Sequence, residues 1–195
     1  MSAFFVSLLL LGQADVRGTK HNLSASSSNT VKALTEDQVC VFCHVPHGAS
    51  QSRAVWNRDL SYQLSGTLYS LYGSSTLDAV PDRPNGASKL CLSCHDGALA
   101  LGSLMNLDAT RSASVAMSGG VTTMPNGPTR LGIDLRNDHP ISLQPNLSDP
   151  ELVLPPVGDA VRLRDGAAGN KDSVQCTSCH DPHLTTSKFL VKSTM

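Results

Sequence analysis

The sequence predicts a loop-rich, mostly irregular fold with short α-helical turns and little β structure. Three observations point there. Fifteen glycines and eleven prolines in 195 residues break up regular elements along the whole chain. Aromatic residues are only 4% of the total, thin material for a core built from side chains alone. All six cysteines fall in three short segments of one spacing, each followed closely by Pro or Gly. The length fits one domain or at most two small ones. Lys+Arg 15 against Asp+Glu 16 leaves a net charge of -1, so no basic field calls for nucleic acid or acidic lipid. With 16% charged residues, the chain does not read as a solvated coil either.

The apolar run from Ala3 to Gly12 is far short of the roughly 20 residues that span a bilayer. It ends in Gly12-Gln13-Ala14, a small-x-small terminus. Residues 1–14 therefore read as an export leader cleaved after Ala14, ahead of a single domain over residues 15–195.

Cys40-Val41-Phe42-Cys43-His44, Cys91-Leu92-Ser93-Cys94-His95 and Cys176-Thr177-Ser178-Cys179-His180 are three copies of C-x-x-C-H that use every cysteine. Two thiols at this spacing can form thioethers with the two vinyl groups of one porphyrin, and the adjoining histidine then lies under the iron. The expectation is three covalently attached haem c groups, held by Cys40, Cys43, Cys91, Cys94, Cys176 and Cys179. His44, His95 and His180 are the proximal iron ligands. Zinc takes four ligands per site and leaves one motif unpaired. Disulfides within a motif close trivial loops.

Local signals place the motifs on short helices. Thr35 with Gln38, Ser88, and Asp172 with Gln175 are candidate caps, and Pro46, Gly97 and Pro182 candidate stops. Ala87 to Met105 is the best candidate for a longer helix, and Val161 to Arg164 alternates like a short strand. Trp56, Tyr62, Tyr69 and Tyr72 are expected to pad porphyrin edges.

Four further histidines, His21, His47, His139 and His183, are candidate second axial ligands for the three irons. His47 and His183 follow a proximal histidine by three residues in the frame C-x-x-C-H-x-P-H. Residues at i and i+3 share one side of a helical turn, so neither can easily reach the far face of its own haem. Each is expected to serve a neighbouring one. His139, before Pro140, is held extended as a loop ligand, with Asp138 or a carbonyl available to its other ring nitrogen. His21 needs a tie of some kind to order its segment. Met105, Met117 and Met124 are the weaker alternatives.

The stretches GTKHNLS, CVFCHVPHGA, AVWNR, CLSCHDG, DLRNDHPIS and VQCTSCHDPH resemble those of multihaem c-type cytochromes of metal-reducing and related bacteria. The resemblance implies bis-histidine haems in a loop-rich fold, packed in stacked and T-shaped pairs. It also implies distal ligands among His21, His47, His139 and His183. Some relatives polymerise into extracellular filaments in which a histidine of one subunit completes a haem of the next. The expected function is electron transfer without catalysis, by an exported protein, extracellular or periplasmic, without a membrane span. Its partners are other redox proteins or extracellular electron acceptors, and copies of itself if it polymerises. The alternatives are a small haem reductase or peroxidase with one open iron, and a soluble periplasmic shuttle.

Overall fold

The computed structural model describes residues 15–45, 56–64, 68–79, 81, 83–107, 114–166 and 172–192. The expected leader, Pro46 and His47 lie outside the described residues. Among those described, the regular elements are α1 (Gly86–His95), α2 (Cys176–Cys179) and a few 3-10 turns, joined by long loops. No sheet forms among them; isolated bridges such as Ala33 with Met117 and Leu143 with Val174 tie loop to loop instead. The loop-rich, low-β character expected from the composition is therefore observed. No helix among the described residues is long and apolar enough to cross a membrane.

Local physics sets the length of α1. Asn85 is extended at its start, and Gly86 takes a left-handed φ of +48°, where a Cβ would run into the Asp165 carbonyl. The helix stops at His95 because Gly97 is left-handed (φ +69°) and its amide donates to the Cys94 carbonyl at 3.0 Å. That stop comes well short of Met105, the far end of the helix expected from sequence. Leu101 and Leu104 still enter the core, but from a loop.

Three expected caps resolve differently. The first motif occupies a 3-10 turn, Val39–Phe42, without a side-chain cap at Gln38. The Gln38 amide instead donates to the Glu36 carboxylate at 2.8 Å. Ser88 lies inside α1, fully buried, and caps the other helix: its hydroxyl accepts from the Cys176 amide at 3.0 Å. At α2 the capping box pairs Gln175 with Ser178, while Asp172 sits in a turn at φ +67°. The expected strand at Val161 to Arg164 reduces to a single bridge between Arg164 and Ser173.

The interior is two small apolar clusters. Ala33, Val41, Phe42, Leu101, Leu104 and Met117 form one, with Cys43 and Cys94 packed against it. Tyr69, Leu92, Leu135 and Ile141 form the other, with Cys176 against it. The cysteine motifs thus sit on the rim of the core.

Candidate functional site

Each motif turns the residues between its cysteines inward. Val41 and Phe42, Leu92 and Ser93, and Ser178 are all buried, which plants the motif while Cys40 and Cys179 stand exposed. A cavity of about 440 Å³ opens beside Cys40, lined by Arg17, Asn22, Asp37 and Gln38 among others.

The thiols of different motifs meet. Burial, and then the neighbouring Cys94, push the Cys43 thiol up to about 12. Burial also raises Cys94. Cys91 and Cys176 interact directly: the hydrogen bond between them holds Cys91 as a thiol and lowers Cys176. The second motif therefore meets the third through Cys91 and Cys176, and Cys94 lies with Cys43 of the first against one apolar cluster.

Polar side chains fix these contacts. The Ser88 amide donates to Gln175 Oε1 at 3.0 Å, and Gln175 Nε2 donates to Asn85 Oδ1 at 2.8 Å. With the Ser88–Cys176 bond these join α1 to the start of α2. On the other side, the Asn57 amide donates to the Cys43 carbonyl at 2.9 Å and its Nδ2 to the Val41 carbonyl at 2.7 Å. Trp56 crosses the His44 ring edge-on at 5.6 Å and donates from its indole to Ser93 Oγ at 3.3 Å. Arg58, buried, donates to the carbonyls of Ser93, Ala100 and Leu101. The Trp56-Asn57-Arg58 run thus bolts the first motif to the second.

Three histidine side chains are set by an acceptor on Nδ1. His95 donates to the Thr129 carbonyl and His180 to the Lys188 carbonyl, each at 2.7 Å. His183 faces Asp181 Oδ1 at 2.8 Å. A carbonyl or a carboxylate accepts, so Nδ1 carries a proton in each ring and Nε2 is the nitrogen left to face a metal.

Two pairs of rings come together from distant parts of the chain. His21 and His95 have ring centres 6.1 Å apart and planes at 84°. His44 and His183 are 6.2 Å apart at 16°. Two imidazoles bound to opposite faces of one metal have centres roughly 6 Å apart, from about 2 Å per metal–nitrogen bond and roughly 1 Å from nitrogen to ring centre. Burial first, and then His95, hold His21 down to about 4, with the Pro182 carbonyl opposing the shift. Among the described residues no hydrogen bond reaches its buried Nδ1. Burial, then His183, also lowers His44. Both rings are kept neutral, as ligation requires.

Of the other expected ligands, His139 is exposed but close enough to Cys176 for its charge to act on that thiol. Among the described residues no second histidine ring is paired with His180. Tyr62 and Tyr69, expected at porphyrin edges, both aim their hydroxyls at the buried carboxylate of Asp96, at 2.8 and 2.7 Å. Burial and that carboxylate raise both phenols. Sequence reading gave no role to Asn57, Arg58 or Asp96, and took Ser88 and Gln175 only as caps. Their common signal, polar residues immediately beside a motif or an aromatic, is weak without the fold. No protein-family model matches the chain, and no curated protein matches it.

Proposed function

We propose that the chain is a trihaem c-type cytochrome: an exported electron carrier with haem c at each C-x-x-C-H motif and no substrate beyond its redox partners. The observation that carries this reading is the pairing of His21 with His95 and of His44 with His183 at ligand-to-ligand spacing. Each pair joins a histidine that follows a cysteine pair to one that does not. Two protein donors per site are too few for a bare ion, whereas a porphyrin brings four more in one plane. Among the described residues no group of three or more His, Cys, Asp or Glu is gathered as a bare ion needs.

On this reading Cys40 and Cys43, Cys91 and Cys94, and Cys176 and Cys179 would hold the three porphyrins. His44 with His183, and His95 with His21, would close two irons on both faces. A bound haem supplies a one-electron iron couple. The protein contributes the axial imidazoles, the acceptors that orient them, and the exclusion of water. The Cys91–Cys176 hydrogen bond, and the cluster that Cys43 and Cys94 share, would bring the second haem near both of the others. Filament formation from stacked copies, outside the cell, belongs to the same proposal.

A second reading attaches to the third motif, where His180 has no paired ring among the described residues. His139 or His47 would complete it as an electron carrier; an open iron would make it a small haem enzyme. Protein from a host competent in haem c maturation decides both matters. The electron-carrier reading expects a mass increased by three haems, a low-spin spectrum, and no carbon monoxide binding by the reduced protein. A colourless product overturns the proposal, and a high-spin band with stoichiometric carbon monoxide binding selects the enzyme. Electron microscopy of native material should show helical filaments if the copies polymerise, and dispersed particles if they do not.

A further inference from the structure

Arg58 is the largest fully buried side chain among the described residues, at 1% exposure. Its guanidinium donates to three main-chain carbonyls: Nη1 to Leu101 at 2.8 Å, Nη2 to Ala100 at 2.7 Å, and Nε and Nη2 to Ser93 at 3.3 Å. All three acceptors are neutral. The backbone beside it is fastened to the first motif, through Asn57 to the Cys43 carbonyl and through Trp56 bridged to His44. Its head lies against the second motif, on the residue before Cys94. Its charge acts on both Cys43 and Cys94.

Among the described residues the third motif has no equivalent. Arg164 donates to the Thr177 carbonyl at 3.0 Å, but that residue is only half-buried and Asp181 opposes its charge. Near Arg58 the opposing group is Asp96, which follows His95 and takes both tyrosine hydroxyls on Oδ2. Adding an electron to an iron site lowers its charge by one, so a nearby fixed cation favours the reduced state. That preference grows where water is excluded.

We propose that Arg58 is a dry, fixed positive charge that raises the reduction potentials of the haems at the first and second motifs above that at the third, so that electrons settle at the Cys43–Cys94 end. This rests on the haem reading above and adds a direction to it. The test is a spectroelectrochemical titration of the intact haem-loaded protein, comparing wild type with R58K and R58M. In R58M two of the three one-electron steps should become harder by at least tenfold in equilibrium constant, 59 mV for a one-electron couple, while the third stays. R58K, which keeps the charge, should hold the wild-type steps. Haem count by mass and the low-spin spectrum should match in all three proteins. No step moved, or all three moved equally, overturns the role of Arg58. If R58M does not mature, R58Q against R58K makes the same comparison, since both lose the planar fork and only Gln loses the charge. Wild-type protein without three haems defeats the haem reading itself, a result visible in the mass before any potential is measured.

Discussion

His21 shows how burial and a neighbouring ring set the proton affinity of one side chain. Its folded value near 4, against 6.5 for an exposed imidazole, means that the unfolded chain binds the proton more readily between those values. Stability is therefore unaffected by this group above about pH 6.5 and is lost as pH falls toward 4. On the proposed ligation the proton must also displace the metal, which would push the loss lower still. An acid titration followed by visible spectrum should then show the low-spin form intact at about pH 4 and converting only below it. His183→Ala should leave His44 without its partner: one haem in three becomes high-spin and the reduced protein takes up one carbon monoxide per chain. At this scale the sequence shows where the three cysteine motifs lie, because their spacing is local, and the structure adds that the residues between the cysteines are buried. Which free histidine meets which motif was not legible, since that depends on loops that no periodicity encodes.

The joint between α1 and α2 rests on buried polar side chains more than on apolar contact. The Ser88 amide donates to Gln175, its hydroxyl accepts from the Cys176 amide, and Gln175 donates on to Asn85. Removing one member strands the others away from water, at a cost of about 1–3 kcal/mol. Ser88→Ala and Gln175→Ala should each lower stability by that amount in denaturant unfolding of the haem-loaded protein. The double variant should lose less than the sum, because both cut one network. Local rules did reach part of this. Gly97 as the stop of α1 is visible in the sequence, since only glycine turns readily into the left-handed region. Ser88 reads as an ordinary cap because helix rules look along one segment, and its true partner lies on another helix. Arg58 and Asp96 look like surface charges by residue type, and only the fold reveals them as buried.

Across the whole molecule, little side-chain material is available to fill a core, and the composition said so in advance. The two apolar clusters are small, and they carry the cysteine motifs on their rims. Leu147, Leu152, Val153, Leu154 and Val157 lie exposed along one stretch of loop. Its sequence contains Asp and Pro with no motif of its own, and it drew no expectation beforehand. Loop-rich character was legible from Gly and Pro content, but the path of the loops was not. Bridges such as Ser70 with Asp134 bring together residues far apart in sequence and chosen by no local signal.

The ring of His183 against that of His44 ties the segment after the third motif to the first motif. On the proposed ligation, the iron held at Cys40 and Cys43 would be closed on its second face by a residue from beyond the third motif. Attachment of that haem and closure of its second face would then depend on separate stretches of sequence. A version ending at His180 keeps all three attachment motifs and should carry three covalent haems by mass, yet show a high-spin, carbon monoxide-reactive component that the protein with residues 181–195 lacks. On that ligation, the segment after the third motif would be what silences the reactivity of the first haem.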